Sequence, residues 1–213
     1  MASTDDNTFL ERAYALTETS GAKTLYDEWA ASYDEDLDSQ RYVSPQRTVE
    51  AIEASVQPSS RQLTILDAGC GTGLVGDLLK QSTLGKRMTL TGCDVSPGML
   101  EAAARRGVYH RLDAVDLSKQ TSYEADSYDI IACCGTLTKG HVGPGALREF
   151  VRIVSSGGLI VATVHNEIWE SGGYRKEADA MKSEELVDVV STDEFGIIEG
   201  LNSGGIMLVL RKK

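Results

Sequence analysis

The sequence has little to offer a membrane, a nucleic-acid backbone or a metal ion. Its longest apolar runs, 158–164 and 206–210, fall far short of the roughly 20 residues a helix needs to cross a bilayer. Basic residues are in deficit: 21 Lys and Arg against 32 Asp and Glu give a net charge of −11, which repels a phosphate backbone on average. The cysteines Cys70, Cys93, Cys133 and Cys134 include no CxxC pair, and adjacent Cys133 and Cys134 are badly placed to chelate one ion or to bridge each other. Buried thiols in a reducing, cytoplasmic setting are the expectation. Residues 1–14 carry neither a basic n-region nor an apolar h-region, so no secretory signal is expected. Histidine is scarce as well, being confined to His110, His141 and His165.

What is present suits one globular domain: 41% hydrophobic and 25% charged residues are enough to bury a core and keep a wet surface. Residues 1–60 read as an N-terminal helical cap. Within them Phe9, Leu10, Tyr14 and Leu16 form a weakly amphipathic stretch. Leu25, Trp29 and Tyr33, spaced by four, predict one helix over 23–37. Ser44-Pro45 has the form of an N-cap and a first-turn proline for a helix that Pro58 to Ser60 end. From 61 to 213, strands at 63–67, 88–95, 108–112, 127–134 and 159–164 alternate with helices at 74–80, 98–106 and 146–154. That alternation predicts parallel βαβ units in a doubly wound sheet. The end departs from it. A short helix is expected over 185–190, and Phe195–Glu199 and Ile206–Leu210, separated by a Gly/Asn/Ser loop, predict an antiparallel hairpin.

The centre of the pattern is ILDAGCGTG, residues 65–73. An apolar run ends in Asp67, then Gly69, Gly71 and Gly73 follow at alternate positions before a helix, which lets main chain approach a nucleotide-like ligand. Two registers compete. Gly71 to Gly76 matches GxGxxG, with Asp94 at the distance of a ribose-binding acid, which would suit a dinucleotide oxidoreductase. That register buries Asp67 inside a strand, where an unpaired carboxylate is costly. Starting the turn at Asp67 puts the acid at the strand end and all three glycines in the loop.

On these residues the chain resembles the class I S-adenosylmethionine-dependent methyltransferases from about Tyr26 onwards. The resemblance rests on Asp67 to Gly73, on Asp94-Val-Ser-Pro-Gly-Met-Leu100, on Asp113-Ala114, on Tyr128-Asp129-Ile-Ile and on Arg152 to Gly158. YDEWAASYDEDL and GTLTKGHVGPGAL are closer still to the Williams–Beuren syndrome region methyltransferase-like proteins. The resemblance implies a mostly parallel seven-stranded Rossmann-like sheet with a C-terminal antiparallel hairpin, and S-adenosyl-L-methionine as methyl donor. It implies that Asp67, Gly69, Cys70 and Gly71 surround the methionine part, and that Asp94 accepts from the ribose hydroxyls. Val95 and Met99 would contact adenine, and Asp113 would take its exocyclic amine beside the Ala114 amide, with Asp116 a near substitute. Cys133 would lie at the sulfonium, and Tyr33 would close over the carboxylate.

Methyl transfer from a sulfonium is in-line displacement of an activated leaving group, so alignment and desolvation suffice unless the acceptor arrives protonated. His141, after the fourth strand, is then the candidate base, with His165, after the fifth, a second. Each also reads as an ordinary loop residue. The acceptor is expected to be a small molecule or a protein, with neither nucleic acid nor membrane as partner. A non-catalytic S-adenosylmethionine sensor is the alternative.

Overall fold

The computed structural model describes residues 8–16, 21–57, 60–200 and 204–213. The expected Pro58–Ser60 helix stop falls mostly outside them, as does most of the Gly/Asn/Ser hairpin loop. Seven strands form one sheet in the order β3-β2-β1-β4-β5-β7-β6. They are β1 (Leu63–Ala68), β2 (Met88–Asp94), β3 (Arg111–Ala114), β4 (Tyr128–Leu137), β5 (Val154–His165), β6 (Val187–Gly196) and β7 (Gly204–Lys212). The first five run parallel, while β7 inserts antiparallel between β5 and β6. The doubly wound sheet with its terminal hairpin is as expected. Chain order reverses between β1 and β4, and a cleft opens at the carboxyl ends of those strands, where open α/β sheets bind ligands.

Strand period two divides the core. Ile65, Ile130 and Val161 face helices α4 (Ser44–Ser55) and α5 (Leu74–Gln81), burying Ile52 and Leu79. Leu66, Ile131 and Ile160 face the other way, onto α7 (Ala146–Ile153), α8 (Asn166–Trp169) and α9 (Tyr174–Ser183), through Phe150, Trp169 and Tyr174. Such strands have no wet face, which is why they read as apolar runs.

Several local expectations need correction. The helix predicted over 23–37 is two, α2 (Ala22–Trp29) and α3 (Tyr33–Ser39). Asp36 accepts from both the Trp29 indole at 2.7 Å and the Ser32 hydroxyl at 3.0 Å, pinning the bend between them. Ser44 is the first helical residue of α4 and Val43 occupies the cap. The third strand lies at 111–114, later than predicted. The helix predicted over 185–190 is the start of β6, because pairing with β7 outweighs a weak local preference. By contrast Ser96 caps α6 (Pro97–Arg106) as expected, accepting from Met99 N–H at 3.1 Å.

The N-terminal helices are tied to the sheet's ligand edge by ions. Asp27 accepts from the Ser96 hydroxyl at 2.5 Å and from Gly98 N–H at 3.1 Å. Arg106 donates to the Thr72 carbonyl at 2.6 Å, to Asp77 at 2.5 Å and to Asp34 on α3. Its own side chain is largely buried but Asp77 and Asp34 are 35% and 47% exposed, so each ion pair is worth about 1 kcal/mol and the clamp acts through their sum. Arg106→Ala should therefore speed amide exchange across 33–39 by at least about tenfold while leaving β4 and β5 unchanged. Equal exchange in the two proteins would refute the clamp.

Candidate functional site

The glycine loop is shaped from below. Gly69 has φ 75° and its Cβ position lies 2.0 Å from Thr136 Oγ1, so glycine alone fits. Gly69 and Cys70 N–H groups both donate to the Cys93 carbonyl, at 2.8 and 2.9 Å. Gly71, φ 53°, has nothing within 4 Å of its Cβ position, and that open space is the cleft itself. Gly76 has a different reason. A Cβ there would sit 2.4 Å from the Tyr109 hydroxyl, and one at Gly92 would sit 2.8 Å from the same ring. The last glycine of the GxGxxG match makes room for a tyrosine, not for a ligand phosphate.

That tyrosine donates to Asp67 at 2.7 Å. Asp67 lies at the end of β1, one residue before its last, as expected, and is nevertheless fully buried there. Its second oxygen, Oδ1, has no hydrogen-bond partner among the described residues. Burial, reinforced by the charge of Asp94 and opposed by Tyr109, pushes its pKa up to about 7. Asp94, at the end of β2, accepts from Gly71 N–H and Ser96 N–H, each at 2.9 Å, and burial raises its pKa too.

Tyr33, Gly69, Gly71, Asp94, Val95, Met99 and His141 line one cavity of about 320 Å³, within the range of small-molecule sites. The other candidates lie elsewhere. Asp67 and Cys70 sit beneath or beside the loop and do not line it. Asp113 accepts from the Tyr123 hydroxyl at 2.9 Å and Arg111 at 2.8 Å, and neither it nor Ala114 lines the cavity. Asp116 does. Cys133 points into the core, while Cys134, one residue on and so on the opposite face, reaches the wall.

His141 donates from Nδ1 to the Lys139 carbonyl at 2.8 Å, a pure acceptor, so Nε2 accepts from the Tyr26 hydroxyl at 2.9 Å. Burial holds its pKa down, which keeps the imidazole neutral. His165 lines a second, smaller cavity of about 90 Å³ whose wall shares Tyr26, Tyr33, Gly135 and His141 with the first. Tyr26, Tyr109 and Tyr42 went unnoticed as site residues in the sequence. Gly92 in mid-strand was the available signal for Tyr109, since such glycines mark close approach.

Residues 65–158 match the family of methyltransferase domains. Methyltransferase-like protein 27 of Homo sapiens is 31% identical over 152 residues, 71% of this chain and 60% of that protein. The chain carries a methyltransferase domain with the fold of the class I S-adenosylmethionine-dependent methyltransferases. It spans about 60% of the human relative's length. The fold agrees: a TehB-like methyltransferase from Corynebacterium glutamicum superposes with TM-score 0.63 at 23% identity, covering 88% of this chain and 98% of that one. The [4+2]-cyclase SpnF superposes with TM-score 0.69 at 17% identity, covering 93% and 98%. Among the described residues no helix is long and apolar enough to cross a membrane.

Because the Asp67 pKa is raised from near 3.8 to about 7 on folding, the native state favours its protonated form. The cost of the buried carboxylate therefore appears as pH rises above about 4 and is complete above about 7. In thermal unfolding, Asp67→Asn should gain stability relative to the parent protein between pH 4 and 7. A difference that stays flat across that range would show that Asp67 does not titrate there.

Proposed function

We propose that this chain transfers a methyl group from S-adenosylmethionine to a small-molecule or protein acceptor. The observation that carries the reading is the cradle around Gly71, where an open Cβ position lies beside Asp94, to which Gly71 N–H donates at 2.9 Å, on the wall of one cavity. The donor's parts fit the residues present. Asp94 has lone pairs left for two ribose hydroxyls, a charge-assisted arrangement. Val95 and Met99 offer apolar walls to adenine, and Asp116 rather than Asp113 is placed for its exocyclic amine. The orphaned Asp67 Oδ1 suits an ammonium group approaching through the glycine turn, directly or by one water. Tyr33 covers the site from the N-terminal helices, its hydroxyl kept protonated by burial.

When bound, the sulfonium supplies an activated methyl. The chain's own work is then to hold the acceptor in line and exclude water. His141 is neutral and able to take a proton, but its Nε2 already receives one hydrogen bond. An acceptor hydroxyl reaches it by way of Tyr26, whose proton moves to Nε2 as the acceptor's proton moves to the Tyr26 oxygen. His165 borders the adjoining cavity and is the second imidazole available there.

Calorimetry with S-adenosylmethionine should show binding that Asp94→Ala weakens by about 1.5 kcal/mol or more, roughly tenfold. Undiminished affinity would sink the site assignment. Binding without labelled-methyl transfer to any component of a cell extract would favour a sensor. Fluorescence titration with NAD(P)H should show no saturable binding.

A further inference from the structure

The smaller cavity differs in kind from the cleft beside it. It is closed by two distant parts of the chain. Val43 N–H donates to the Ile197 carbonyl at 2.9 Å, and Tyr42 bridges to Ile198, bringing the stretch before α4 against the end of the hairpin. Its lining includes the rings of Tyr26, Trp29, Tyr33 and Tyr42, and none of the described residues around it is an acid, a lysine or an arginine. One polar group there is unexplained. Ser44 is 1% exposed and borders the chamber, and its hydroxyl makes no well-formed hydrogen bond among the described residues, the Tyr42 hydroxyl being the neighbouring polar group that acts on it only weakly. A buried hydroxyl left unpaired is a standing cost, and an alanine would pack as well on α4.

We propose that this chamber binds the methyl acceptor, and that the acceptor is a small uncharged molecule with a lone pair turned to the Ser44 hydroxyl, of the alcohol, phenol or thiol class. The proposal rests on the methyl-transfer reading for its role, not for its chemistry. Size limits the ligand. About 90 Å³ is less than the ~150 Å³ of an apolar cavity that takes benzene, and the chamber is half open and shares a wall with the larger cleft, so the part of an acceptor seated in it is a short chain or one small ring. Charge limits it further. An anion would find no lysine or arginine among the described lining residues, in a protein of net charge −11. A cation would find no carboxylate and would sit beside a bound sulfonium, where like charges repel strongly at low dielectric. The four rings suit a flat or aliphatic neutral body, and Ser44 fixes which end is held.

The chain's two tryptophans allow a readout that does not depend on turnover. Trp29 lines the chamber, whereas Trp169 is buried on the far side of the sheet and lines neither cavity. Titrating the protein with n-propanol and with phenol, which bracket the size, should shift the Trp29 indole N–H resonance and leave that of Trp169 in place. Ser44→Ala should weaken the tighter of the two about fivefold, the worth of one neutral hydrogen bond, without lowering the melting temperature. Propionate and n-propylammonium should shift neither indole. The proposal is overturned if neither neutral probe moves Trp29, or if Ser44→Ala binds as well as the parent. It is overturned equally if n-propylammonium binds as tightly, since the chamber would then suit the charged side chain of a protein acceptor. Calorimetry with S-adenosylmethionine on the same sample separates the two claims. Probe binding without donor binding refutes methyl transfer and leaves a small-molecule chamber, and the reverse refutes the chamber alone.

Discussion

The hydrogen bond from Tyr109 to Asp67 is the constraint around which the ligand edge is built. A carboxylate inside a buried strand is one of the costlier groups a fold can hold, and among the described residues Tyr109, at 2.7 Å, is its one side-chain donor, with Gly76 N–H the backbone group that also favours its charge. To deliver that donor the ring must pass between the glycine loop, α5 and β2. Gly73, Gly76 and Gly92 each leave the space it occupies. The loop above is thereby held open at Gly71 by packing beneath it. A half-satisfied acid under an open loop is strain of the kind that persists at sites where a ligand completes the pairing.

The second constraint is lateral. Arg106 joins the glycine loop, α5 and α3, and Asp27 joins α2 to the start of α6. Both connections run from the N-terminal helices to residues such as Thr72, Ser96 and Gly98, next in sequence to Gly71, Val95 and Met99 of the cleft wall. The cap over the site and the loop beneath the ligand are thus joined at two separate points, so displacing either perturbs the other.

Much of this was legible in the residues. Alternating strands and helices, the hairpin, the glycine turn and Asp94 follow from periodicity and turn chemistry, which are local. What was not legible depends on registers and on contacts between distant segments. Cys134 rather than Cys133 faces the cleft because a single step along β4 reverses the face. Asp116 lines the cleft and Asp113 does not, because Asp113 lies within β3 and accepts from Tyr123 and Arg111. The extension of β6 back to Val187 is set by its partner β7, not by its own propensity. Tyr109 was hidden for the same reason: its meaning lies in a carboxylate 42 positions earlier. Nor does periodicity tell that Asp67, at the end of β1, is wholly buried, because the ring that covers it comes from a distant segment.

The placement of β7 has a consequence for how the molecule comes into being. This strand lies between β5 and β6, so during synthesis both neighbours emerge before the segment that joins them. Until residues 204–212 have been made, β5 presents an unpaired, strongly apolar edge and β6 has nothing to pair with. Vectorial folding of the first five strands therefore stops one strand short of closure, with an edge of the type that recruits foreign strands. The smaller cavity, bordered by Ile197, Ile198 and Gly205, is likewise among the last parts to form. Among the described residues the larger cleft draws on nothing beyond Val142, so a nascent chain holds its donor-side walls before it holds the chamber beside them.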